Sequence, residues 1–216
     1  VVAAPSGLAI GGGFEVIVHA DKVIAHANTV MGLVETGVGL VPGGGGVKET
    51  FRRWYEQSGD STRAAWNTWM QIGYGRTGSS PEQSAGLMYY LENRDEMVMN
   101  RDRLVSAAVN ATERLNRAGY AVPDSTPLVL PGRAILEDMA AFMERGISDG
   151  LFYPHDKTVA MAVAGIVVNS EGDQPLEVDE EVLFARERDA FVTLAQTEET
   201  HARIHSLLNR GRAIRN

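Results

Sequence analysis

Two glutamates stand where solubility would not put them. Glu15 is the only formally charged residue between Val1 and Ala20, and Glu35 the only one between Ala27 and Val47. Each sits in an apolar run, Phe14-Glu15-Val16-Ile17-Val18 and Met31-Gly32-Leu33-Val34-Glu35. A carboxylate kept from water costs several kcal/mol unless it is paired or stays protonated. Such acids suit proton transfer. The triplet Gly11-Gly12-Gly13 precedes Glu15 and breaks an extended segment before a short helix. The first amides of a helix have no carbonyl within it, and glycine lets a ligand oxygen approach them without a side chain in the way. That arrangement suits a developing oxyanion.

Each feature alone has a plainer explanation: a glycine triplet is most often a tight turn, and a glutamate most often faces solvent. The apolar flanks of both acids argue against the plain explanation here. Other candidates fall away. Gly43-Gly44-Gly45-Gly46 precedes Val47-Lys48-Glu49-Thr50, so the lysine does not directly follow the last glycine, as a phosphate loop requires. The triplet also lacks the spacing of a dinucleotide-binding fingerprint. His201 and His205 are four apart on a helix, but no further ligand accompanies them, so no metal site is expected. Asn110-Ala111-Thr112 matches a glycosylation pattern inside an expected helix and is accidental.

The elements that must position these residues follow from periodicity. Extended pieces are expected before Pro5 and over Leu8–Ile10, a buried helix over Phe14–Ala20, and strands over Lys22–His26 and Thr29–Leu33. Glu35 then falls at a strand end. Helices are expected over Val47–Tyr55, Thr62–Ile72 and from Pro81 to Gly86, the last with Ser80 as cap. Leu87–Leu91 fits a strand or a buried connector. Beyond Asn100 helical stripes cover Arg101–Ala118, Arg133–Arg145, Asp156–Val168, Val182–Leu194 and Glu198–Asn209, with Val122–Pro131 as a linker. The expected division is an α/β part over 1–98 and a helical region over 99–216.

With 216 residues, 44% of them hydrophobic, the chain can bury a substantial core. A net charge of -8 with only three lysines, Lys22, Lys48 and Lys157, leaves no basic stripe, so nucleic acid is not an expected partner. No cysteine is present, which excludes thiolate chemistry and fits a reducing compartment. The longest apolar run, Val159–Val168, is far too short for a bilayer span, and a cytoplasmic location is expected. The chain opens in the β-branched pair Val1-Val2 without methionine, as a piece of a longer polypeptide would.

At Gly7-Leu8-Ala9-Ile10-Gly11-Gly12-Gly13-Phe14-Glu15, and from Met31 through Gly46, the sequence resembles the crotonase superfamily, specifically enoyl-CoA hydratases. It is similar above all to the hydratase part of bifunctional 3-hydroxyacyl-CoA dehydrogenase/enoyl-CoA hydratase proteins. In these, Met31–Glu49 and the ending Leu207–Asn216 have close counterparts. The resemblance implies an α/β fold: the C-terminal portion of a ββα spiral followed by a helical region. It implies that the Gly12 amide forms half of an oxyanion hole, with Gly11 and Gly13 beside the substrate. In the family the second amide comes from a segment N-terminal to the triplet.

By the same resemblance Glu15 and Glu35 are the catalytic acids that hold one water, Glu35 as base and Glu15 as its partner. Hydratases of this type carry both acids, whereas enoyl-CoA isomerases typically keep one. The implied reaction is hydration of a trans-2-enoyl-CoA in fatty-acid β-oxidation. The alternatives are a Δ3,Δ2-enoyl-CoA isomerase and a non-catalytic assembly module. Acyl-CoA thioester is the implied partner, with a homo-oligomer expected. Hydration needs no cofactor, and NAD would enter only with a dehydrogenase domain upstream.

Overall fold

The computed structural model describes all 216 residues, Val1–Asn216. In chain order run β1 (Val2–Ala3), β2 (Leu8–Ile10), α1 (Gly12–Val18), β3 (Lys22–His26), β4 (Val30–Gly32) and a 3₁₀ turn, Glu35–Val38. There follow α2 (Gly46–Ser58), α3 (Ser61–Gly73), β5 (Thr77–Gly78), α4 (Pro81–Ala85), β6 (Glu96–Val98) and α5 (Leu104–Arg117). The chain ends through β7 (Leu128–Leu130), α6 (Ala134–Ser148), α7 (Pro154–Val167), β8 (Leu176–Val178), α8 (Glu180–Ala195) and α9 (Glu198–Arg210). These elements form two compact units, Val1–Leu33 with Arg76–Ser125 and Val34–Gly75 with Thr126–Asn216.

In the first unit successive strands feed two different sheets. β1 pairs in parallel with β3 and β3 in parallel with β6, while β2 pairs in parallel with β4 and β4 antiparallel with β5. Parallel neighbours need a crossover connection, and the β1–β3 and β2–β4 crossovers each pass through α1 and a strand of the other sheet. This is the ββα winding that the resemblance implies. Register places Ala9 opposite Met31 and Ile10 opposite Gly32, so the residues before the glycine triplet are fixed against the strand that precedes Glu35. α5 covers β1 and β3, with Leu104 and Ala111 buried on Ile24 and with Val2 and Val98 packed around them.

The second unit is helical. α2 and α3 pack on each other and on α7, which also packs on α6 and α8. Trp69, buried in α3, donates its indole N–H to the Ala160 carbonyl at 2.8 Å, and the Phe142 ring meets it edge-on at 5.6 Å. At the C-terminus of α7 the Arg186 guanidinium reaches the carbonyls of Ile166 and Val168, at 3.3 and 3.0 Å, which the helix leaves without internal donors. β7 and β8 form a short antiparallel pair with Leu128 opposite Val178.

Most helices lie where the periodicity puts them. The division does not follow the expected break after residue 98. α2 and α3 bury Phe51, Ala65 and Ile72 in the helical unit, whereas α5 buries Leu104 and Ala111 on the strands of the first. The connector after α4 holds no strand, though Tyr89 and Tyr90 are buried in it, and β7 lies inside the expected linker.

Glu187 joins α8 to the glycine quartet. Its side chain is fully buried and accepts the amides of Gly45 and Lys48 at 3.0 and 2.6 Å, at the N-terminus of α2. Around it Lys48 pairs with Glu180 and Glu49 at 2.9 and 3.1 Å, and Arg52 pairs with Glu49. Burial works to raise the Glu49 carboxyl, but the Arg52 and Lys48 charges outweigh it and hold the pKa below the ordinary value. Replacing Glu187 by alanine strips two buried amides of their acceptor. A loss of about 3 to 5 kcal/mol is predicted, with a smaller loss for Glu187→Gln, which keeps one oxygen. Chemical denaturation checks this, and an unchanged midpoint for Glu187→Ala would show that the carboxylate does not hold the quartet.

Candidate active site

The triplet folds as the sequence requires. Gly11 takes φ 57°, in the region open to glycine, and its amide donates to the Gly32 carbonyl at 2.9 Å, which ties the start of α1 to β4. Gly12 and Gly13 are the first two helical residues, so no carbonyl of α1 can meet their amides, and both residues are exposed. A Cβ added at either would meet nothing within 4 Å, so packing does not explain why glycine stands there. α1 is anchored by Phe14, fully buried with its ring 4.5 Å from that of Tyr89, and by Val18. Glu15 lies one position after Phe14, half-buried in the first turn. Its carbonyl accepts from His19 Nδ1 at 2.7 Å.

Glu35 opens the 3₁₀ turn in the second unit. The residue is half-buried and its Oε2 is buried. The turn is held at both ends. Thr36 Oγ1 donates to the Ile72 carbonyl of α3 at 3.0 Å. At the other end Gly39 takes φ 87°, and its carbonyl accepts from Thr200 Oγ1 of α9 at 2.8 Å. The same hydroxyl lies 2.9 Å from His155 Nε2 of α7. Thr200 has one proton, which goes to the carbonyl, so His155 must donate through Nε2–H. A Cβ at Gly39 would fall 2.7 Å from Thr200 Oγ1 and 2.9 Å from His155 Nε2, which leaves only glycine at this corner.

Beside the turn is a cavity of about 300 Å³. Val34, Thr36 and Gly37 line it on the Glu35 side, with Trp69, Phe142, Phe152 and Tyr74 supplying rings from the helices. No group of three or more His, Asp or Glu side chains is placed to hold a metal. His201 instead uses Nε2 on the Ala195 carbonyl at 2.7 Å. The quartet Gly43–Gly46 has its helix N-terminus occupied by the Glu187 carboxylate described above.

Residues 1–61 match the family model for enoyl-CoA hydratase/isomerase. That match covers 61 of the 216 residues and makes this segment similar to the enoyl-CoA hydratase/isomerase family. The segment contains the glycine triplet, Glu15 and Glu35. The whole chain is 33% identical over 216 residues to a Bacillus subtilis (strain 168) protein named "Probable 3-hydroxyacyl-CoA dehydrogenase", and covers 27% of that protein. Among solved structures, carnitinyl-CoA hydratase from Mycobacterium avium aligns with 99% of the chain and 61% of its own length, at 19% identity and a TM-score of 0.57. EchA1_1 from Mycobacterium paratuberculosis aligns with 98% of the chain and 60% of its own length, at 17% identity and a TM-score of 0.55. The fold is crotonase-like. The chain thus spans about a quarter of the Bacillus relative and three fifths of these two solved structures.

The residues that hold the Glu35 turn, Thr200 and His155, escape a reading by motif, as does Glu187. Their signal in the sequence is position alone. Glu187 stands four residues after Leu183 and seven before Leu194, on the face that both leucines bury. His155 is buried, and this together with the nearby Arg203 charge pushes its pKa below 6.5. A histidine buried neutral loses its advantage once the unfolded chain can take up the proton. Stability therefore falls as pH drops through about 6.5 towards the lower folded value, and is unaffected by this group above that range. Thermal melts from pH 8 to pH 5 are predicted to show a steeper decline for the native chain than for His155→Gln. Parallel declines would contradict this.

Proposed function

We propose that the chain supplies the catalytic acids of an enoyl-CoA hydratase, adding water to a trans-2-enoyl-CoA to give a 3-hydroxyacyl-CoA. The observation that carries this reading is that the family match spans an open glycine amide and both lone acids in one 61-residue segment. Glu35 acts as base on water, whose oxygen bonds to the β-carbon while the alkene electrons move onto the thioester oxygen. The Gly12 amide donates to that oxygen; a preorganised donor of this kind is worth about 3 to 4 kcal/mol. Glu15 then delivers a proton to the α-carbon. Gly11 and Gly13 border the thioester, their small size admitting it.

The name of the Bacillus relative supports placing this step before oxidation of the 3-hydroxyacyl product, within fatty-acid β-oxidation. NAD would serve only that second reaction. A cytoplasmic homo-oligomer that takes acyl-CoA completes the proposal; no helix is long and apolar enough to cross a membrane.

The presence of both acids favours hydration over isomerisation. Loss of crotonyl-CoA absorbance on hydration measures the activity. Glu35→Gln and Glu15→Gln are each predicted to lower kcat by about 10²-fold or more. If Glu15→Gln leaves turnover intact while Glu35→Gln abolishes double-bond migration, the isomerase reading replaces hydration. If neither change matters, both readings fail.

A further inference from the structure

Arg203 of α9 carries a charge at only 1% exposure. Such a group is costly to bury unless its donors are met. Its Nε donates to Asn216 Oδ1 at 2.8 Å, and its Nη2 to the Asn216 main-chain oxygen at 3.1 Å and to Asp156 Oδ1 at 2.8 Å. Asn216 is bound on its other sides as well. Its Nδ2 donates to the Glu199 carbonyl at 3.2 Å, and its main-chain oxygen accepts the His155 amide at 3.3 Å. That amide lies in the first turn of α7, where no carbonyl of the helix can reach it. The plainest account is that these contacts join α7 to α9 and do nothing else. Their placement argues for more. Glu199 directly precedes Thr200, Arg203 follows it three residues later on the same face of α9, and Asp156 directly follows His155. Thr200 Oγ1 holds the Gly39 carbonyl at 2.8 Å, and His155 lies 2.9 Å from that hydroxyl. Gly39 closes the turn that Glu35 opens.

We propose that Arg203 and Asn216 are positioning residues for Glu35: they clasp α9 to α7 at the spacing that keeps the hydrogen bonds from His155 to Thr200 and from Thr200 to Gly39 intact. The role of Glu35 as a reacting group rests on the hydratase reading above, whereas the clasp on its turn does not. All of these residues belong to the second unit. The residue types suit the task. The planar fork of Arg203 serves Asn216 and Asp156 from one rigid group, which the single ammonium of a lysine would not reproduce. Asn216 offers a donor and an acceptor on one short side chain, and so joins Arg203 to the main chain beside Thr200. The corner leaves little slack. A Cβ on Gly39 would already fall 2.7 Å from Thr200 Oγ1, so a small movement of α9 passes to the turn.

Amide hydrogen exchange reads the turn itself, independently of catalysis. The Gly39 and Leu40 amides donate to the Thr36 and Glu35 carbonyls, each at 3.1 Å, and exchange when the turn opens. In the full-length protein, Arg203→Lys and Asn216→Ala are each predicted to speed their exchange about tenfold while amides inside α2 keep their protection. Asn216 is half-buried, so Asn216→Ala tests the clasp even where Arg203→Lys does not fold. Asn216→Asp keeps an oxygen for Arg203 and restores most of the protection. In the same variants kcat for hydration of crotonyl-CoA is predicted to fall about tenfold with KM unchanged. That loss disappears when either change is combined with Glu35→Gln, because the group being positioned is then already gone. Unchanged exchange at Gly39 and Leu40 overturns the clasp, and leaves the hydratase reading standing if crotonyl-CoA is still hydrated. Faster exchange spread equally over α2 also overturns it, as does a kcat loss that persists beside Glu35→Gln. If exchange responds as predicted but the native protein hydrates no enoyl thioester, the clasp on the turn stands and the hydratase reading fails.

Discussion

A buried carboxylate at a helix start governs the second unit. Glu187 accepts the amides of Gly45 and Lys48 where the glycine quartet turns into α2, and so supplies from within the chain the anion that such a terminus attracts. A carboxyl side chain with no exposure is costly unless its hydrogen bonds are met, and here main-chain amides meet them. The consequence reaches the candidate site through the chain itself. Only a few residues separate Glu35 from the quartet, so fixing α2 against α8 fixes one end of the segment that carries the acid. Thr36 on Ile72, and Thr200 on Gly39, fix the rest.

Charged groups around the quartet serve position rather than chemistry. Lys48, which could suggest a phosphate loop from its neighbours in sequence, is buried and engaged with Glu49 and Glu180, and its ammonium lies 4.4 Å from the centre of the Phe184 ring. The contrast with the triplet is instructive. Gly45 has its amide satisfied by the protein, whereas Gly12 and Gly13 lie exposed at a helix start with open space where side chains would be. Two glycine clusters of similar appearance in sequence therefore differ in setting: one is sealed into its unit by a buried side chain, and the other is exposed at a helix start.

Much of the fold was legible because its elements are local. A 3.6-residue stripe such as Ile135, Met139 and Met143 announces a helix without reference to anything distant, and the Ser80-Pro81 start caps α4 as its residue types require, with Ser80 accepting from the Gln83 amide. What could not be read depends on pairing across the chain. Leu128-Val129-Leu130 and Leu176-Glu177-Val178 are too short to show alternation, and become strands only because each finds the other. Likewise α2 and α3 join the later helices because Trp69 and Ile72 are buried there, a choice that no local pattern encodes. The lone acids and the triplet were visible as violations of the usual placement of charge and glycine. Glu187, Thr200 and His155 were not, since a polar residue on the inner face of a helix shows its use only when its partner is known.

The account rests on two carboxylic acids acting on one water. A crystal structure of the full-length protein with a saturated acyl-CoA bound would measure the separation of the Glu15 and Glu35 carboxyl groups directly. The account predicts an ordered water within about 3.2 Å of an oxygen of each, the reach of a hydrogen bond. Carboxyl groups farther apart than two such bonds can span, about 6 Å, with no shared water between them, would contradict it.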